Sequence, residues 1–586
     1  MPSQTFWTAE DKIPISQKKV SIQAENGLEY SLGQQIDFVI PESVGYMMPS
    51  ETYLRMDVKL NSGLADAPGD ALKLMLDAQT GCNVLIRDIR VSSGGAQNIL
   101  LEELQNVNVL TSLKYDYECN DTLIKKRAMT EGVVVPTPPQ NRGTLGCTSS
   151  SVNNQASNPY FSNNATFTNG DYKTVKALLR LPTGIFQNDK IFPLGLTGGL
   201  RIQIILEDAN RVFRTLDNVK NTKNQRANPL FHSTNGSNTA PTLWSAGATR
   251  TAFWIQRANH VTSVATCPFS IGETCAFIKT ENGSDTGSDC EFTITGIEYD
   301  ISVGSGNGGG GLVKITCASA TNNTGYDVDQ TFSMYSRAPA TLVNLSPTAT
   351  VNNVELICQK VEMPEGYTRK MMSMLKAGGS MNYDFMSYTN YKYSQQQSDR
   401  VANIRLPLAE SRAKSILCVP TDASTYTTAN AIGGIGTYKY NELEDDCGAG
   451  CSNFSDRSGL VGIADHATNY QFIYDGKLNP NRKVPLSRTS VVGDYGPINQ
   501  QGLIEQEKAL HQAGIDPLSF ESYQKNFFIG RALSLQNGIY DARGKDFNLQ
   551  VEYNETTNPT KAKLWNCWCA HLRRIVVRGE NIALEV

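Results

Sequence analysis

Runs in which apolar and polar residues alternate one by one recur along the whole chain, and this pattern constrains the fold more than any other feature. Side chains of a strand point to opposite faces in turn, so a period of two marks a strand with one buried face. Between Thr52 and Leu60 the alternation puts Leu54, Met56, Val58 and Leu60 on one face. Leu200, Ile202 and Ile204 repeat it, as do Phe547, Leu549, Val551 and Tyr553. Segments 84–91, 292–303, 354–361 and 575–577 are further strand candidates. Turn signals separate them: Gly94-Gly95, Pro182-Thr183-Gly184, Gly198-Gly199, Asp475-Gly476 and Asn479-Pro480. Helical spacing is rarer. It is read over 97–113, carried by Leu100, Leu101, Leu104, Val107 and Leu110, and over 503–513, stopped by Gly514 and Pro517. Segments 123–131 and 368–376, each followed by glycine, are weaker helix candidates.

Length and composition bound the rest. At 586 residues the chain has room for two or three domains, each with its own core. With 40% hydrophobic and 19% charged residues it reads as globular. Lys plus Arg total 53 against 57 Asp plus Glu, a net charge of −4 that lacks the basic balance of a nucleic-acid binder. No apolar run approaches the length of a membrane-spanning helix. The opening residues Met1 to Trp7 lack a basic segment followed by an apolar one, so no secretory leader is expected. The 13 scattered cysteines then read as reduced thiols, and the sequons at Asn164, Asn235 and Asn322 carry little meaning. Five histidines are thin material for acid–base or zinc chemistry.

Three stretches are polar and rich in turn residues: 136–171, 207–350 and 420–466. Segments this long between strands are expected to be ordered excursions from a β scaffold. A faint duplication runs through the chain, with 200–206 and 547–553 as counterparts and the Met-rich 367–375 as the link. Many short strands with long connections suit β sandwiches.

The motifs are weak. Gly304, Gly306 and Gly309 match a dinucleotide-binding pattern, but the residues after them, 312–316, read as strand rather than helix, so a turn is expected. Asp285-Thr286-Gly287 resembles an aspartic-protease triplet without the second copy that chemistry needs, and a hairpin loop is expected. Cys567, Cys569 and His571 alternate along one strand and could supply zinc ligands, although small thiols filling a core beside Trp565 and Trp568 is the favoured reading. Cys447 and Cys451 have no second pair of matching spacing. No nucleophile elbow, phosphate loop, zinc-protease helix or calcium loop is present, and no catalytic, cofactor or metal residue is nominated. Lys12, Lys18, Lys19 and the run Lys125-Lys126-Arg127 are expected on solvated faces, with contact to an anionic partner as the alternative.

Several segments, in this order, resemble the double jelly-roll major capsid proteins of double-stranded DNA viruses, most of all those of polinton-like viruses and virophages. Segment 86–94, then Asn98 to Leu104 with its Leu-Glu-Glu, resembles the family's strand, glycine turn and helix. Segments 179–186, 192–194 and 199–202 resemble later strands of the first jelly roll, and 354–361 its closing strand. Segments 403–407 and 412–416 resemble early strands of the second, and 472–478 its strand with an Asp-Gly turn.

The resemblance implies an all-β chain of two tandem eight-stranded jelly rolls with a few short helices and long β-rich insertions. It divides the chain into an N-terminal arm at 1–25, a first jelly roll at 26–365 with a tower-like insertion at about 207–350, and a second at 366–586. It implies a homotrimer acting as a pseudo-hexameric capsomer in an icosahedral virion. Its partners would be neighbouring capsomers, penton and minor capsid proteins, and an inner membrane on the interior face, with no sequence-specific nucleic-acid binding, no cofactor and no catalysis. The arm, with Phe6 and Trp7, would clamp a neighbour or face the interior. One rival is a β-sandwich viral surface protein whose loops read glycans. Another is a β-sandwich glycoside hydrolase, which needs two carboxylates about 5–9.5 Å apart in a cleft.

Overall fold

The computed structural model describes residues 16–61, 72–77, 80–95, 98–118, 121–133, 165–167, 173–212, 214–215, 229–230, 249–256, 274–281, 284–300, 312–321, 332–336, 348–423, 459–486, 500–517, 526–533, 538–554, 559, 561–578 and 581–585.

Eight main strands, joined by the short Glu29–Ser31 and Phe192–Pro193, build a first sandwich: β1 (Ser16–Gln23), β2 (Gln35–Ile40), β3 (Tyr46–Asn61), β4 (Ile86–Ser93), β5 (Leu100–Leu104), β6 (Lys173–Arg180), β7 (Leu200–Leu206) and β8 (Thr348–Glu362). One sheet has the order β1-β8-β3-β6 and the other β2-β7-β4-β5, all antiparallel. Eight more main strands, with the short Asn581–Glu585 at the edge, build a second: β9 (Ser380–Gln395), β10 (Val401–Leu406), β11 (Ala413–Asp422), β12 (Ala467–Tyr474), β13 (Lys477–Pro485), β14 (Ile529–Ala532), β15 (Phe547–Tyr553) and β16 (Lys563–Arg578). Their sheets run β9-β16-β11-β14 and β10-β15-β12-β13. Adding eight to each strand number of the first sandwich gives the second. This is the jelly-roll order, met twice. The counterparts read from sequence, 200–206 and 547–553, are β7 and β15, the seventh strand of each roll.

Alternation does what the sequence predicts. Leu54, Met56 and Val58 on β3, and Phe547, Leu549, Val551 and Tyr553 on β15, are buried between sheets. The side chain of Leu60 lies outside the described residues. The Asp475-Gly476 turn joins β12 to β13 with both residues at positive φ, 52° and 72°, as a tight hairpin requires. The helices α1 (Val107–Glu118), α2 (Asp121–Glu131), α3 (Glu365–Lys376) and α4 (Gln500–Gln512) occupy connections. Gly514, at φ 75°, ends α4 as expected.

One helix reading is corrected. Residues 97–113 do not form a single helix: 100–104 are strand β5, and α1 begins only at Val107. The pairing of β4 with β5 shifts between Val91–Glu102 and Ser92–Leu100, leaving Leu101 as an extra residue. That bulge brings Leu101 and Leu104 inward at a spacing of three, which imitates a helix in the sequence. Asn106, at φ 50°, then breaks the chain before α1. The Leu-Glu-Glu segment is therefore strand.

Strands alternate in direction, so the connections fall at two ends. At one end lie the connections after β3, β5 and β7, and after β11 and β13, which are the long ones. At the other lie the short ones after β2, β4, β10 and β12, together with α3. Three insertions of the first sandwich meet in a small sheet of Arg214–Thr215, Leu72–Met75 and Ala165–Phe167. The 207–347 insertion carries a six-stranded sheet of its own, in the order 229–230, 249–256, 312–321, 284–300, 274–281, 332–336. Residues 285–288, expected as a hairpin loop, open the strand Ser284–Asp300 instead. The segments holding Gly304, Gly306 and Gly309, Cys447 and Cys451, the three sequons, Lys12, and Phe6 and Trp7 lie outside the described residues. So does most of 136–171. β1 falls within the stretch expected as an arm, and it pairs along its whole length with β8.

Candidate functional site: the joint between the two sandwiches

The first sandwich meets the second along β9 and β16. Going up β9, Tyr383 donates from its hydroxyl to the Lys190 carbonyl (3.3 Å) and its ring packs edge-on against Phe192, centroids 5.1 Å apart. The carbonyl of Asp384 accepts from Asn188 Nδ2 (2.8 Å). Ser387 reaches Glu102, and Asn390 reaches the carbonyl of Gln105 (3.4 Å). From β16, Trp568 donates through Nε1 to the same carbonyl (3.2 Å), and Asn566 Oδ1 accepts from both Asn106 and Asn390. At the long-loop end, Asn526 binds Asp116 Oδ2 (2.6 Å) and Tyr117 donates to the Asn526 carbonyl (3.3 Å).

The order of these contacts fixes orientation. The connection between β6 and β7 lies at the short-turn end of the first sandwich and touches the start of β9, which leaves the short-turn end of the second. The insertion after β5 touches the insertion after β13, both at the long-loop end. The two sandwiches therefore stand side by side and the same way up.

Glu102 is the most unusual residue of this joint. The bulge at Leu101 breaks the alternation of β5, so that Leu101 and Leu104 face inward while Glu102 turns toward β9 of the second sandwich. It is fully buried, and Oε1 accepts from the Gly184 amide (2.8 Å) and Ser387 Oγ (2.9 Å) while Oε2 accepts from the Ile185 amide (3.1 Å). Burial raises its pKa from 4.5 to about 7, although the three hydrogen bonds and the positive field of Arg573 pull the other way. A carboxyl raised in this way keeps its proton in the folded state after the unfolded chain has lost it. The stability it favours is present at low pH and is lost as pH rises from about 4.5 through about 7. The denaturation midpoint is expected to fall across that window, by the equivalent of roughly 3 kcal/mol. Glu102→Gln removes the titration. An equally steep pH dependence in that variant, followed by chemical denaturation, would assign the slope elsewhere.

Of the residues weighed on sequence, Cys567, Cys569 and His571 do lie on one strand and are all buried. The structure divides them. Cys567 is directly opposite Cys418 on β11. Cys569 and His571 come together with Glu410, which lies in the connection between β10 and β11; their ligand atoms all lie within 4.8 Å of one another. His571 Nδ1 is 3.1 Å from the carbonyl of Cys569, and burial holds the imidazole below its usual pKa. Burial and the neighbouring Glu410 push the Cys569 thiol well up. Sequence offered no sign of Glu410, because nothing local to it marks a loop carboxylate that turns into a core.

The basic run is also corrected. Arg127 is buried, not solvated: its Nε donates to Glu131 (2.9 Å) and its guanidinium lies 3.3 Å from the Tyr115 ring centroid. Lys18 matches expectation as an exposed residue of β1, paired with Glu362 at 3.2 Å. Among the described residues no helix is long and apolar enough to cross a membrane.

No protein-family model matches the chain, and no curated protein does. Among solved structures it is similar to the PBCV-1 virus capsid, at 10% identity and a TM-score of 0.48, over 98% of this chain and 97% of that one. It is similar to PBCV-1 VP54, as fitted into a reconstruction of the virophage Sputnik, at 9% identity and a TM-score of 0.46, over 98% and 97%. It is also similar to the Faustovirus major capsid protein, at 8% identity and a TM-score of 0.44, over 97% and 91%. The double jelly-roll assignment stands on this chain's own strand order, repeated in the two halves.

Proposed function

We propose that the chain is the major capsid protein of a double-stranded DNA virus. Three copies close around an axis into a capsomer, and capsomers tile an icosahedral shell. The observation that carries this reading is the pair of like-built sandwiches standing the same way up. Three such chains place six upright sandwiches around one centre, a near-hexagonal prism built from threefold symmetry. Closed rings of this kind need self-consistent lateral surfaces, which rigid sandwiches with a fixed joint provide. The long insertions then gather at one end of the prism as a tower on the outer face. The short-turn end, with α3, faces the interior, where an inner membrane would lie.

The chain works by assembly and has no catalytic cycle. Interfaces of about 2,000 Å² or more hold the trimer, and smaller ones join it to neighbouring capsomers, penton and minor capsid proteins. The net charge of −4 agrees with an absence of sequence-specific nucleic-acid binding. Light scattering on the purified chain is expected to give a mass about three times 64.2 kDa. Electron microscopy of the same sample is expected to show hexagonal outlines. A 64.2 kDa species at micromolar concentration that does not assemble on crowding would refute the proposal.

A further inference from the structure

We propose that Glu410, Cys569 and His571 form a binding site for a divalent metal ion of the zinc class inside the second sandwich. The three residues are buried, and each offers one ligand atom within 4.8 Å of the others. In a tetrahedral zinc site, ligand atoms lie roughly 3.3–3.8 Å apart, as metal–ligand bonds of about 2.0–2.3 Å require. A bound ion would draw the three ligand atoms together from their present spacing.

The hydrogen bonds around the cluster are those that ligand residues need. A backbone carbonyl only accepts, so the 3.1 Å contact of His571 Nδ1 with the Cys569 carbonyl places the ring proton on Nδ1. Nε2 is left as a bare lone pair, and it is buried with no hydrogen-bond partner. Metal-ligating histidines are held in this way, one nitrogen donating to a carbonyl and the other to the metal. Glu410 is oriented too: Oε1 accepts from Tyr391 Oη (2.8 Å) and Oε2 from the Ala409 amide (3.0 Å).

Charge supports the same conclusion. A carboxylate and a thiolate together carry two negative charges that one dication would offset, with the Arg573 guanidinium as a further positive charge in the field of Glu410 and His571. Binding displaces the Cys569 thiol proton to solvent, and the metal–sulfur bond takes its place. Three protein ligands leave a fourth position for water or for the second oxygen of Glu410. The site would tie the connection between β10 and β11 to β16, closing one end of the second sandwich.

The test uses the full chain, purified under reducing conditions, incubated with zinc and freed of loosely held metal. About one zinc per chain is expected by elemental mass spectrometry. Cobalt in its place is expected to give a sulfur-to-metal charge-transfer band. Cys569→Ser and Glu410→Gln should lose both signals. Tyr391→Phe, which keeps all three ligands and removes only the hydroxyl that orients Glu410, should weaken zinc binding about 10–100-fold in chelator competition. Circular dichroism identifies any variant that fails to fold, and Tyr391→Phe keeps the proposal testable if a ligand variant does. Absence of retained zinc in the wild-type chain overturns the proposal. So does equal retention by wild type and folded Cys569→Ser, or unchanged affinity in folded Tyr391→Phe.

Discussion

Gly184→Ala is expected to lower the unfolding free energy by about 3 kcal/mol or more, an overpacking effect at the upper end of its range. A β-carbon at Gly184 would lie 1.7 Å from the Met386 carbonyl oxygen and 2.8 Å from the Phe385 ring. Both belong to β9, so the added methyl would push the second sandwich off the first. The same movement would lengthen the bonds from the Gly184 and Ile185 amides to Glu102, whose burial depends on them. Gly195 lies in the same connection between β6 and β7, but nothing lies within 4 Å of its β-carbon position. Gly195→Ala is therefore expected to change stability by no more than about 0.5 kcal/mol. Urea denaturation of the two variants side by side separates close approach at the joint from a general intolerance of this connection. Equal midpoints would mean the joint is not tightly packed. If the trimer forms as proposed, Gly184→Ala should also fail to assemble, because the angle between sandwiches sets the geometry of the ring.

Lys563→Met is the second large effect, expected to cost about 3–5 kcal/mol. Lys563, at the start of β16, and Asp465, just before β12, are both fully buried and form an ion pair. Asp465 also accepts from the Lys561 amide (3.1 Å), and the ammonium donates to the Lys561 carbonyl (3.1 Å) and lies 4.8 Å from the Tyr553 ring centroid. Removing the ammonium leaves a carboxylate charge in the interior, and that penalty exceeds the loss of the attraction itself. Asp465→Asn combined with Lys563→Met removes both charges and is expected to recover most of the loss. The measurement is the full double-mutant cycle by thermal or denaturant unfolding. A double variant no more stable than Lys563→Met would show that the side chains matter for shape and not for charge. Asp465 and His466 occupy left-handed backbone at φ 44° and 67°, so Asn is chosen at 465 because it tolerates that conformation.

Much of this architecture is written locally. The period-two runs of β3, β7 and β15, the Asp475-Gly476 hairpin and the glycine stop after α4 were all legible, because each depends on residues that are neighbours in sequence. The failure at 97–113 has the same origin seen from the other side. A single bulged residue, Leu101, changes the inward spacing from two to three, and periodicity alone then reports a helix. The burial of Arg127 escapes the sequence because a basic run says nothing of whether a ring and a carboxylate, here Tyr115 and Glu131, receive one of its members. The cluster of Glu410 with Cys569 and His571 was half visible: two members share a strand face, while the third arrives from a connection far away in the chain.

Hydrophobic periodicity is a property of a few adjacent residues, so it marks most strands, their apolar faces and the repeated plan, and misses those, such as 100–104, where a bulge alters the period. The sheet order, the shared upright orientation of the sandwiches and the burial of Glu102 at their joint emerge only in three dimensions. Those follow from how distant segments pack against each other, and that packing leaves no mark in the spacing of any one of them.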